Sequence, residues 1–94
     1  MGAILVVEDD EAAQRLLVRF LRHHRPVRAA STLESAIAQL GGHDDWSGFL
    51  IDVALGPQPR GGLEVLAAAR RVFPSVPVAL VTATNERDVI NRAA

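Results

Sequence analysis

Short unbroken apolar runs alternate along this chain with stretches in which apolar residues recur every three or four positions. Ala3 to Val7 is the first run. It is continuous and rich in β-branched residues, the pattern of a strand buried on both faces. From Glu11 the period becomes helical: Ala12, Ala13, Leu16, Leu17, Phe20 and Leu21 form a core face, and Arg15, Arg19 and Arg22 point away from it. His23, His24 and Arg25 put cations where a helix C-terminus favours them, and Pro26 ends the helix. Val27 to Ala30 reads as a short, weak strand near a sheet edge. Ser31-Thr32-Leu33-Glu34 matches a capping box and opens a helix through Leu33, Ala36, Ile37 and Leu40, ended by Gly41 and Gly42.

The second half repeats the alternation. After the loop GGHDDWSG, Phe49 to Val53 is an apolar strand carrying one acid, Asp52. The segment ALGPQPRGG is a loop by its glycine and proline content. Leu63 to Phe73 reads as a helix with Leu63, Leu66, Ala67 and Phe73 facing the core, closed by Pro74. Val76 to Val81 is a further strand, with Pro77 at its start where a missing N–H is tolerated. Thr84 is placed to cap a last helix, Glu86 to Ala94, with Val89, Ile90 and Ala93 on one face. The order βαβαβαβα implies a parallel sheet with helices on both faces and right-handed crossovers.

Composition narrows the function classes. At 94 residues and 49% hydrophobic content the chain is one domain, 1–94, with material for a modest core. Ten basic against 11 acidic residues, net −1, give no electrostatic footprint for nucleic acid or an anionic membrane. No run approaches the ~20 apolar residues of a membrane helix. The absence of cysteine excludes a disulfide framework and thiolate metal sites, and fits a cytoplasmic location.

The acids give the chain its candidate chemistry. In open parallel α/β sheets, ligands bind beyond the carboxyl ends of the strands. Glu8 and Asp9 end the first strand, Asp52 the third and Thr82 the fourth. If those strands are neighbours, three carboxylates share a pocket, which costs free energy unless a cation neutralises them. All-oxygen ligands with room for water suit Mg²⁺. A carboxylate beside Mg²⁺ is equipped to attack a phosphoryl group and form an aspartyl-phosphate. Asp52, alone on its strand, is the better nucleophile, with Glu8 and Asp9 paired as ligands. The Thr82 hydroxyl and nearby N–H groups are placed to hold an anion. Asp10 and Glu11 read instead as first-turn charges favourable to the helix that follows.

Other features carry less. His23, His24 and His43, with Asp44 and Asp45, read as helix-end and loop residues. GPQPRG has the glycine spacing of a phosphate loop, but Gly62 and Leu63 stand where Lys and Ser/Thr are needed. Trp46 reads as an anchor from loop to core.

ILVVEDDE, FLIDVAL, GGLEVL and PVALVTA, in that order over nearly the whole chain, resemble the receiver domains of two-component response regulators. The resemblance implies a flavodoxin-like fold and phosphate transfer to Asp52 from a sensor histidine kinase or phosphotransfer protein. It implies Mg²⁺ ligation by Asp9, Asp52 and the backbone carbonyl of Ala54, with Glu8 acting through water. It also implies that the Thr82 hydroxyl senses the phosphoryl group, with the Ala83 N–H nearby. Such a domain is a signalling switch and not a turnover enzyme.

The chain departs from the family pattern twice. The loop after Asp52 carries extra residues. The chain also has four βα units where receivers have five, so the lysine and the aromatic switch residue of the fifth strand have no counterpart. A (βα)4 sheet would leave VPVALVT as an unpaired apolar edge, and such edges recruit other chains. The expectation is a homodimer through the fourth strand and last helix, or an exchange of elements between two chains; the alternative is a fragment of a longer receiver.

Two further functions compete. One is a degenerate receiver that acts as a phosphorylation-independent dimerisation or docking module. The other is a Mg²⁺-dependent phosphohydrolase or nucleic-acid enzyme, which lacks the expected Asp-x-Asp pattern in VVEDDE and in IDVA.

Overall fold

The computed structural model describes residues 2–81. In it, β1 (Ala3–Val7), α1 (Glu11–Leu21), β2 (Val27–Ala30), α2 (Leu33–Gly42), β3 (Trp46–Asp52), α3 (Gly61–Val72) and β4 (Val78–Val81) follow in order. The strands form one sheet in the order β2-β1-β3-β4, every pair parallel. The central strands are the continuous apolar runs: Leu5, Val6 and Ile51 are fully buried, each contributing roughly 1.5–3 kcal/mol of burial free energy. The register places Val7 beside both Ala30 and Ile51, and Asp52 beside Val81, so the carboxyl ends of the strands lie level. The last helix expected from sequence, Glu86 to Ala94, lies outside the described residues.

Several local readings shift. The cap of α2 is Thr32, not Ser31: its Oγ1 accepts the Ser35 N–H at 3.0 Å, and the Ser35 hydroxyl takes the Thr32 N–H at 3.1 Å, so serine replaces glutamate in the box. Gly41 and Gly42 are the last residues of α2, with His43 as its C-cap. Strand β3 begins at Trp46, whose ring is buried and whose indole N–H donates to the His43 carbonyl at 2.8 Å. Helix α3 buries Gly61, Gly62, Val65 and Ala69; Leu63, Leu66, Ala68 and Phe73 flank this core, and Ala67 is exposed.

The largest change is on α1, none of whose residues is buried. Leu16 and Phe20, expected in the core, are 68% and 67% exposed. Ala13, Gln14, Leu17, Val18 and Leu21 are half-buried instead. Gln14 supplies the reason for this rotation. Its side-chain amide donates to the Glu8 carbonyl at 3.0 Å, the Ala30 carbonyl at 3.2 Å and the Ser31 hydroxyl at 3.2 Å. These bonds tie the helix by a polar residue to the ends of β1 and β2. Beside α1 the sheet carries a groove of about 360 Å³ lined by Ile4, Leu21, Phe49, Leu50, Pro77 and Val78, among others.

Candidate functional site

Val7 and Ile51 are register partners on adjacent strands, so the residues that follow them, Glu8 and Asp52, emerge side by side. Asp9 follows Glu8 on the bend that leaves β1. One ligand atom from each of Glu8, Asp9 and Asp52 lies within 4.8 Å of the others. The convergence expected from sequence is therefore present for all three acids. Thr82 and Ala83 lie outside the described residues. Ala54 follows β3 on the loop and is exposed; its backbone N–H acts on the Asp52 carboxyl and opposes the rise that burial causes.

The four acids of the opening run have separate fates. Glu8 is the one buried charged residue among those described, and its Oε2 accepts the Asp10 N–H at 3.0 Å. Asp9 is exposed, and its Oδ2 accepts the Gly56 N–H at 2.8 Å. Asp10 is the N-cap of α1, its Oδ1 taking the Ala12 N–H at 3.1 Å. Glu11 is in the first turn of α1 and pairs with Arg15 at 2.8 Å. Asp10 and Glu11 thus serve the helix, as their position in the sequence suggests.

The electrostatics of the cluster are one-sided. Burial pushes the Glu8 carboxyl up to about 7; the Asp10 amide opposes the rise, and Asp52 and Asp9 add to it. Burial also raises Asp52, with the charge of Asp9 adding to the rise. Among the described residues, no cationic side chain acts on either group. Three oxygen ligands at close range with uncompensated negative charge fit a hard divalent cation, Mg²⁺ above all.

The loop beyond Asp52 is built to hug this cluster. Leu55 is buried and exchanges two backbone bonds with Gln58, each 3.0 Å, closing a tight turn. Gly56 occupies that turn at φ 58°, a conformation glycine adopts without strain. The Gly62 N–H then donates to the Val53 carbonyl at 2.8 Å, bringing the start of α3 against the end of β3. The spacing of residues does not reveal the Gly56–Asp9 bond; the only trace in the sequence is the Gly56-Pro57 dipeptide, a turn signal.

The histidines take no part in this cluster. His23 and His24 are exposed just beyond α1, and the His24 ring stands 5.8 Å from that of Phe20. The His43 ring packs edge-on against Trp46 at 4.7 Å. No described helix is long and apolar enough to cross a membrane.

The family model for the response regulator receiver domain matches residues 4–94. Among solved structures, the response regulator protein TrrA from Thermotoga maritima in complex with Mg²⁺-BeF matches with a TM-score of 0.81 at 26% identity, over 100% of this chain and 82% of its own. The MaeR response regulator bound to beryllium trifluoride matches at 0.76 and 29% identity, over 99% and 76%. The N-terminal domain of a response regulator/sensory box/GGDEF three-domain protein from Carboxydothermus hydrogenoformans matches at 0.78 and 27% identity, over 90% and 67%. In a further match, at 26% identity, this chain spans 60% of the other. No curated protein matches in sequence.

Proposed function

The chain belongs to the response regulator receiver domain family, and from that premise we propose that it is a phosphoacceptor switch modified on Asp52. The observation that carries this reading is the convergence of Glu8, Asp9 and Asp52 within 4.8 Å, with no cationic side chain among the described residues acting on Glu8 or Asp52. Asp9, Asp52 and the Ala54 carbonyl are the proposed ligands of Mg²⁺, with Glu8 acting through water. The metal would supply neutralisation of the charge on the transferring phosphoryl oxygens.

The rest falls to the chain's own groups. A carboxylate oxygen of Asp52 attacks the phosphorus of a phosphohistidine. The new O–P bond forms as the N–P bond breaks, and the imidazole leaves with the electron pair and takes a proton from solvent. The rigid end of β3 holds the attacking oxygen, which limits the motion that must be frozen on reaction. Thr82 and Ala83, directly beyond β4, are assigned the hydroxyl and N–H that sense the phosphoryl group. The phosphodonor is a sensor histidine kinase or phosphotransfer protein, and the setting is the cytoplasm. Among the described residues β4 pairs only with β3, so its other side is the proposed seat of a second copy. Mass in solution at micromolar concentration checks that part: a dimer supports it and a stable monomer opposes it.

Beryllofluoride tests the switch. With Mg²⁺ present it should move the backbone amide resonances around Asp52, Ala54 and Gly56. Asp52→Asn should abolish the response. An unresponsive wild-type protein would overturn the reading.

A further inference from the structure

Asp9 is the least constrained member of the cluster: it is exposed and lies outside any helix or strand. Left to itself, such a side chain must give up rotamer freedom to hold a ligand in one geometry. It is not left to itself. Its Oδ2 accepts the Gly56 N–H at 2.8 Å across 47 residues of sequence. The length is that of a charge-assisted bond, stronger than one between neutral groups.

The donor is itself held from both sides. The preceding residue, Leu55, is 1% exposed. It is tied to Gln58 by two backbone bonds of 3.0 Å, and the Gly61 N–H adds a third to the Gln58 carbonyl at 3.1 Å. Between these anchors Gly56 sits at φ 58° with open space where a Cβ would be. Its glycine is thus required by the backbone turn and not by crowding. That turn aims the amide at the carboxylate.

We propose that the Gly56 backbone N–H is a positioning group for the metal site: by holding Oδ2 it fixes the Asp9 carboxylate in the orientation from which it ligates Mg²⁺. The inference rests on the reading of Asp9 as a ligand. It gives the lengthened loop after Asp52 a role in the site. Second groups that orient a metal ligand commonly change metal affinity by 10–100-fold when removed.

At 94 residues the whole chain is within reach of chemical synthesis. An ester in place of the Leu55–Gly56 amide deletes the N–H and weakens the Leu55 carbonyl as acceptor of the Gln58 N–H. An ester in place of the Gln58–Pro59 linkage, which weakens the Gln58 carbonyl on the same turn and leaves the Gly56 N–H, controls for that and should bind Mg²⁺ as wild type does. A D-alanine at 56 keeps both the N–H and the positive φ, and is the second control. Mg²⁺ affinity is measured by calorimetry for each and for wild type and Asp9→Asn. The Leu55–Gly56 ester should bind Mg²⁺ roughly tenfold more weakly, D-alanine should match wild type, and Asp9→Asn should bind least. Independently of metal, the Gly56 amide proton resonance should move upfield in Asp9→Asn. Equal affinity of the Leu55–Gly56 ester and wild type, with Asp9→Asn still impaired, would overturn the inference and leave the metal reading standing. A wild type and Asp9→Asn that bind Mg²⁺ equally would overturn both.

Discussion

The backbone of Gly62 lies against the carbonyl of Asp52 so closely that a Cβ at 62 would overlap the Asp52 oxygen and stand 2.7 Å from its carbon. The second residue of α3 and the proposed phosphoacceptor therefore share one close backbone contact. Gly62→Ala forces the start of α3 away from β3 and breaks the 2.8 Å bond from Gly62 to Val53. Overpacking of this kind typically costs about 1–3 kcal/mol; because backbone must move here, a loss at or above the upper end is expected in urea unfolding. Mg²⁺ affinity should fall with it.

Stability should depend on pH in a direction set by the acids. The Glu8 carboxyl is raised to about 7 in the folded chain. Between its ordinary value and about 7 the folded state holds a proton that the unfolded state has released. Metal-free stability should therefore fall as pH rises through that window. The raised Asp52 adds in the same direction. Urea midpoints measured with chelator near pH 5 and pH 8 should decrease with pH, and saturating Mg²⁺ should flatten the decline, because the ion binds the ionised carboxylates.

Removing one carboxylate should stabilise the empty site. Asp52→Asn keeps the shape and deletes a charge from a cluster in which Asp52 raises Glu8 and Asp9 raises both. At pH 8 without metal, the melting temperature of Asp52→Asn should exceed that of wild type. A gain of about 1 kcal/mol would appear as roughly 4–8 °C in a domain of this size. The increment produced by Mg²⁺ should shrink in the variant.

Two apolar residues should behave in opposite ways. Phe20 is 67% exposed and Leu5 fully buried. Phe20→Ser should change stability by no more than about 0.5 kcal/mol, whereas Leu5→Ala should cost about 2–5 kcal/mol. Urea unfolding of the two variants separates them.

These cases mark what the sequence could convey. β1 and β2 are legible to the residue, because a continuous β-branched run and a proline boundary leave few alternatives. Glu8, Asp9 and Asp52 are legible as a cluster because parallel strands deliver their last residues to one edge. The packed face of α1 is not, since the helical period admits two rotations and a polar residue, Gln14, selects between them through bonds to distant backbone. The cap of α2 moved by one residue because serine at N3 performs the glutamate's part. The Gly56–Asp9 bond joins two loops far apart in sequence, and no local pattern encodes it. Thr82 and Ala83 lie outside the described residues.

Phosphorylation of the intact protein decides whether Asp52 is a phosphoacceptor. The chain is incubated with Mg²⁺ and a small phosphodonor and its intact mass is followed by mass spectrometry, beside Asp52→Asn and a chelator control. One base-labile, hydroxylamine-sensitive phosphoryl group per chain is expected, dependent on Mg²⁺ and absent from Asp52→Asn. No modification of the wild type, or modification that persists in Asp52→Asn, would contradict that assignment.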